Sequence, residues 1–278
     1  MFTKSISRIT IGSFLILASM IVGAAGAAAS ETGSVITPDQ SPFTFEPLSD
    51  FATYGVSTSY KVVGVYPSEA VLFRLKYCES RIFDAYEKFP KEQREQLRTI
   101  KFLWQSDGSR GLGGNGSIHL KCNDMKDDVL TSVFVHEMGH IVDTGLYDGK
   151  ASAGLSVYND ERASVFKNDP SIDFYDISWK DTAHVYAGST TFDFVTQYAM
   201  SNPFEDFAES YNFYLLHGSQ FKFMAKTNPR LMRKYAYLRD KVFHRKEFVN
   251  NYFRLDAKRR TYDATVLPFS LEKFLNNV

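Results

Sequence analysis

Cysteine is scarce in this 278-residue chain: Cys78 and Cys122 are the only two, and no C-x-x-C spacing exists. A thiolate zinc cluster is therefore excluded. An even pair leaves two readings open, one disulfide in an oxidising compartment or two buried thiols. Net charge is also missing, since 32 basic residues balance 32 acidic ones. Nothing in that balance implies a nucleic acid or other polyanion partner. No internal repeat is visible.

Long apolar runs are confined to the start of the chain. Lys4 and Arg8 precede a stretch from Ile9 to Val22, followed by small residues ending in Ala27-Ala28-Ala29. This order matches a secretory signal peptide over residues 1–29, with an A-x-A cleavage site. Gly12, Ser13 and Ser19 break the stretch, which argues against a retained membrane anchor. No cysteine near the cleavage site suggests a lipid anchor. The expectation is a secreted, extracellular protein beginning near Ser30, with no stable membrane insertion after cleavage. Cleavage removes two bases and no acid, leaving 30 basic against 32 acidic residues.

What remains is rich in apolar residues, with 44% hydrophobic and 15% aromatic content, enough for a sizeable core. Residues 30–60 are rich in Ser, Thr, Pro and Gly without sustained periodicity, and read as an extended arm or propeptide-like segment. Residues 61–278 read as one α+β domain, mostly helical with a small sheet. Val71, Leu72, Leu75, Ile82, Phe83 and Tyr86 recur at helical spacing between Ser68 and Leu97, with Pro90 as an interruption. Ile100 to Trp104 reads as a strand.

The segment "GSRGLGGNG" contains a formal G-x-G-x-x-G match, Gly111 to Gly116. The alternating "SIHLKC" that follows is a strand pattern, whereas a dinucleotide site needs a helix there. A glycine-rich hairpin or loop is expected instead. Asp127 or Asp128 can cap a helix running to about Thr144, with Gly145 at its C-cap. Leu146 to Thr196 is weakly periodic, suggesting short helices and loops. Asn202-Pro203 opens another helix with an apolar stripe of Phe204, Phe207, Ala208, Tyr211, Leu215 and Leu216. Pro229 to Phe253 reads as a basic, aromatic helical region whose charges lie on a solvated face rather than on a nucleic acid or lipid surface.

The helix over 127–144 carries "FVHEMGHIVD". Residues four apart on a helix are offset by about 40° and about 6 Å, so His136 and His140 can converge on one ion. Glu137 falls beside that ion, where it can accept a proton from water whose pKa zinc lowers toward about 7. Apolar neighbours on both sides make unpaired imidazoles costly there, which favours metal ligation over two ordinary core histidines.

A catalytic zinc needs a third protein ligand. The candidates are His184, Glu205, Asp206, Glu209 and His217; His119 reads as a strand residue. Glu205 and Glu209 share a helix face, so one carboxylate can bind the ion while the other buttresses a ligand. Asn202 and Glu205 also have the spacing of a capping box, a purely structural use for Glu205. Spacing alone leaves the choice open.

The blocks "HEMGHIVD" and "YAMSNPFEDFAESY" together resemble the catalytic domain of anthrax lethal factor and the secreted Pro-Pro endopeptidases, a gluzincin group of zinc proteases. The resemblance covers about Leu97 to His217 and implies a zincin-like fold with its sheet beside the motif helix. It implies His136, His140 and Glu205 as ligands of one Zn2+, Glu137 as general base and Tyr198 as oxyanion stabiliser. Glu209 would be a partner of a ligating histidine, and Asp143 would act comparably. His140 and Glu205 stand farther apart than the family pattern, implying an insertion around 150–190. Thermolysin-like and metzincin patterns fit less well, because no ligand follows His140 at their spacing.

The expected function is a secreted metalloendopeptidase acting on a protein or peptide substrate, held against the edge strand supplied by "GNGSIHLKC". Two alternatives remain: a toxin-like effector protease with one host target, and a zinc-stabilised binding protein without catalysis.

Overall fold

The computed structural model describes residues 50–159, 164–249 and 260–277, all within the unit Ser41–Val278. The expected signal peptide and the first part of the expected arm lie outside the described residues. No helix among the described residues is long and apolar enough to cross a membrane.

The architecture is α+β, with seven α-helices and a four-stranded sheet among the described residues. The strands are β1 (Ser57–Val62), β2 (Thr99–Trp104), β3 (Gly111–Gly114) and β4 (Ser117–Lys121), in spatial order β1-β2-β4-β3. The helices are α1 (Glu69–Tyr86), α2 (Lys91–Arg94), α3 (Asp127–Ile141), α4 (Ile172–Tyr175), α5 (Pro203–Ala225), α6 (Pro229–Tyr237) and α7 (Leu271–Asn277).

β1 pairs with β2 and β2 with β4 in parallel, while β3 and β4 form an antiparallel hairpin. The glycine-rich segment is thus a hairpin, with Asn115 (φ 50°) and Gly116 (φ 76°) in its turn. β4 is paired on both sides, so "GNGSIHLKC" does not supply the edge expected of it; the edges are β1 and β3, and β3 is the one against α3. His119 sits on β4.

The expected arm also ends sooner. Phe51, Val56 and Tyr60 are core residues, and β1 starts at Ser57. "STSYKV" buries only Tyr60, so its strand character carries little hydrophobic signal. The Tyr60 hydroxyl donates to the buried Glu79 of α1. Cys78 of α1 and Cys122, just past β4, form a disulfide across 44 residues of sequence, resolving the pair left open above. Such a loop closure stabilises by about 4 kcal/mol in the chain-entropy account.

α3 is the central helix, buried almost without interruption from Leu130 to Met138. Asp127 and Asp128 occupy its first turn, after Lys126 as N-cap, rather than capping it themselves. Its end also differs from the expectation: the backbone continues through a π-helical turn, Val142–Leu146, which contains Gly145. A Cβ on Gly145 would approach Gln96 at 3.2 Å, so close packing explains that glycine better than a left-handed cap.

α5 crosses α3 at Gly139, where an added Cβ would lie 2.8 Å from Ala208 Cα. Two small residues let the helix backbones meet, and Asn212 Nδ2 donates to Ser132 O at 2.7 Å to fix the register. The basic region after α5 is only partly helical. α6 gives way to a π-helical turn, Leu238–Val242, and His244 and Arg245 have positive φ. Lys234, expected on a solvated face, is fully buried.

Candidate metal centre and cleft

His136 and His140 stand one turn apart on α3, with ring centroids 5.0 Å apart. Glu205 lies in the first turn of α5. Its N–H donates to the Asn202 side chain at 2.9 Å, but its own carboxylate does not complete a capping box. Instead Glu205 Oε2 lies 3.2 Å from His136 Nε2 and 3.4 Å from His140 Nε2. Among the described residues these are the only three whose ligand atoms gather this way, all within 4.8 Å of one another. Oε2 is buried with no hydrogen-bond partner of acceptable geometry among the described residues. An orphaned carboxylate oxygen facing two imidazole nitrogens is the arrangement a cation would satisfy, and an N2O donor set suits zinc.

The electrostatics agree with the geometry. Burial opposes ionisation of Glu205, but the two imidazoles outweigh it and hold the carboxyl well below its usual range. Burial likewise disfavours a charged His136, yet Glu205 and Glu209 raise its proton affinity well above that of an ordinary imidazole.

Glu209, fully buried one turn along α5, sits behind the first histidine. Its Oε1 lies 2.8 Å from His136 Nδ1, and its Oε2 accepts from Thr196 Oγ1 at 2.6 Å and Ala264 N at 2.7 Å. With Nδ1–H donating to Glu209, the Nε2 lone pair is free for an ion. Asp143 takes no such part: its Oδ2 accepts from Tyr175 at 2.7 Å instead. Asp206 turns to Lys234, with Nζ 2.6 Å from Oδ2. His184 is exposed beside Asp181, and His217 is buried farther along α5.

Glu137 faces β3. A Cβ on Gly111 would overlap its Oε1, and one on Gly113 would lie 2.7 Å from its backbone oxygen. Burial pushes the Glu137 carboxyl up, opposed by His136 and His140 and assisted by Glu205. Its carboxylate is 5% exposed as a residue, lining a cleft of about 490 Å3 with Leu112, His140, Tyr198 and Glu205.

Tyr198 lines the same cleft, its ring 6.1 Å from His136 and 5.8 Å from Tyr262. Its N–H donates to Tyr262 O at 2.7 Å, so the chain near 262 holds the turn that presents it. Burial raises the Tyr198 phenol, with Glu205 adding to the effect, so it remains a hydrogen-bond donor at neutral pH.

The sequence assigns the glycines of β3 to a hairpin or loop but gives them no role beside Glu137, and it marks neither the Gly139–Ala208 crossing nor Thr196 and Ala264 as part of the site. Gly111-x-Gly113 on a strand is a readable signal, because alternate residues share one face. No local pattern marks Ala264 as a partner of Glu209, 55 residues away.

No protein-family model matches the chain, and no curated protein matches it.

Proposed function

We propose that this protein is a secreted zinc metalloendopeptidase of the zincin type, similar in its site to the lethal factor and Pro-Pro endopeptidase group. The observation that carries the reading is the joint placement of the His136, His140 and Glu205 ligand atoms beside a buried Glu137 on an open cleft. A purely structural ion needs neither a buried carboxylate next to it nor a phenol in the same cleft. Tyr198 and Glu137 therefore favour catalysis over a binding role.

His136, His140 and Glu205 would hold a zinc ion, which would supply Lewis acidity toward a peptide carbonyl and lower the pKa of bound water toward about 7. Glu209 keeps the His136 proton on Nδ1 and the ring in place. Glu137 accepts the proton of the attacking water on its carboxylate and passes it to the leaving amine; its raised pKa matches that task. Tyr198 donates its phenolic hydrogen to the developing oxyanion. β3, which among the described residues pairs only with β4, offers its other edge to an extended peptide backbone.

The test is metal analysis of the mature protein together with cleavage of a peptide library by wild type and Glu137→Ala. The reading predicts about one zinc in both and cleavage by wild type alone. Zinc binding without any cleavage that depends on Glu137 would favour the zinc-stabilised binding protein. Cleavage of a single host protein but no library peptide would favour the effector alternative.

A further inference from the structure

The chain between His140 and Glu205 builds a second cavity, of about 250 Å3, beside the cleft. The two share Asn115, Thr144 and Phe204, so they adjoin one another. Its lining carries three carboxylates, Asp143, Asp148 and Asp169. Asp143 is 2% exposed; one oxygen accepts from Tyr175, and the other, Oδ1, is buried without a hydrogen-bond partner among the described residues. Asp169 is 9% exposed, with Oδ1 accepting from Ser171 N at 2.8 Å, while Asp148 is exposed at the rim.

Native folds pair their buried carboxylates with cations or hydrogen-bond donors. Among the described residues no lysine or arginine pairs with these three; Asp169 raises the cost of ionising Asp143, and Asp148 raises that of Asp169. Burial pushes the Asp143 carboxyl up to about 7, against the Ser171 and Tyr175 hydroxyls. A single metal ion is a poor answer, since their ligand atoms do not gather as those of His136, His140 and Glu205 do. An elongated side chain with a charged head is a better one. Phe204, Phe166 and Val165 line the same cavity and suit the methylenes of such a chain.

We propose that this cavity is a subsite for a lysine or arginine side chain of the polypeptide substrate, with the charged head received by Asp143, Asp148 and Asp169. The inference rests on the endopeptidase reading, whose substrate preference it names.

The test uses a peptide set in which each position is varied among lysine, arginine, norleucine and citrulline. Binding is measured by fluorescence anisotropy on the zinc-loaded Glu137→Gln protein, and kcat/KM on wild type. One position should favour lysine or arginine over both neutral residues by about tenfold or more. Asp169→Asn and Asp148→Lys should each cut that ratio by about threefold or more. Asp148 is exposed, so the second variant does not threaten the fold. No basic preference at any position in the binding assay, or a preference that survives both variants, overturns the subsite whether or not peptides are cut. A second equivalent of zinc or calcium lost on Asp169→Asn would assign the cavity to a metal and overturn it too. Cleavage absent from wild type, with the basic preference present in binding, would instead count against the endopeptidase reading alone.

Discussion

Glu209 Oε1 lies 2.8 Å from His136 Nδ1 while Oε2 of the same carboxylate is committed to two donors, Thr196 Oγ1 and Ala264 N. The carboxylate therefore cannot be replaced by an amide without a change in the histidine. In Glu209→Gln the oxygen must stay with Thr196 and Ala264, so the amide N–H2 turns toward His136. Nδ1 then has to accept, and the ring proton moves to Nε2, the atom facing Glu205. Zinc affinity should fall by roughly 10- to 100-fold, the usual effect of losing such a partner. Competition with a chromophoric chelator measures this; unchanged affinity would show that Glu209 does not set the tautomer. Glu205→Gln should be more severe and abolish stoichiometric zinc.

Gly111 leaves no room for a side chain because Glu137 occupies that space. Gly111→Ala should push the Glu137 carboxylate aside without touching any of the three ligand atoms. Cleavage should drop by about 10²- to 10⁴-fold, the range for loss of a general base, while zinc content stays stoichiometric. Metal analysis beside peptide kinetics distinguishes this from simple unfolding, which would lose both. Gly113→Ala meets the helix backbone oxygen at 2.7 Å and should cost stability as well as activity.

Much of the site was legible because it depends on short-range spacing. His136 and His140 share a face through helix geometry, and the Asn202-Pro203 start fixed where α5 begins. The Glu205 choice needed the structure, because Asn202 does cap the helix as the capping-box reading required. Only the direction of the Glu205 carboxylate separates the two uses. β1 was missed because a strand with one buried side chain does not alternate visibly. The end of α3 was misread because Gly145 serves packing against Gln96, and sequence does not distinguish a packing glycine from a capping one. Lys234 was misplaced for a related reason: its partner Asp206 lies on another helix, 28 residues earlier.

That buried pair gives a third expectation. Lys234 Nζ contacts both Asp206 oxygens and lies 4.0 Å from the Phe194 ring centroid, while Trp179 Nε1 donates to Asp206 at 2.9 Å. Burial disfavours both charges, lowering the pKa of Lys234 and raising that of Asp206, with each partner opposing the shift of the other. Removing one partner strands the other, so Lys234→Met should cost about 3–5 kcal/mol in urea unfolding. Lys234→Met combined with Asp206→Asn should recover part of that loss. A cost of the double variant equal to the sum of the two single costs would show that the charges do not stabilise one another.

His217 provides a pH-dependent expectation on stability. It is 1% exposed at the break in α5, where φ is −132° and ψ 30°, and burial lowers its pKa to about 3. The unfolded chain binds a proton at this residue near its ordinary value of 6.5, whereas the folded chain binds it only near 3. Between those values the unfolded state carries more protons, so stability rises with pH and is lost on acidification. The loss should approach about 1.4 kcal/mol per pH unit across that window and should not extend above it. His217→Gln removes the titrating group while keeping a polar side chain of similar reach. Urea unfolding from pH 7.5 down to pH 4 should therefore show a shallower acid decline in the variant than in wild type. Parallel declines in the two proteins would mean that His217 is protonated in the fold at no cost.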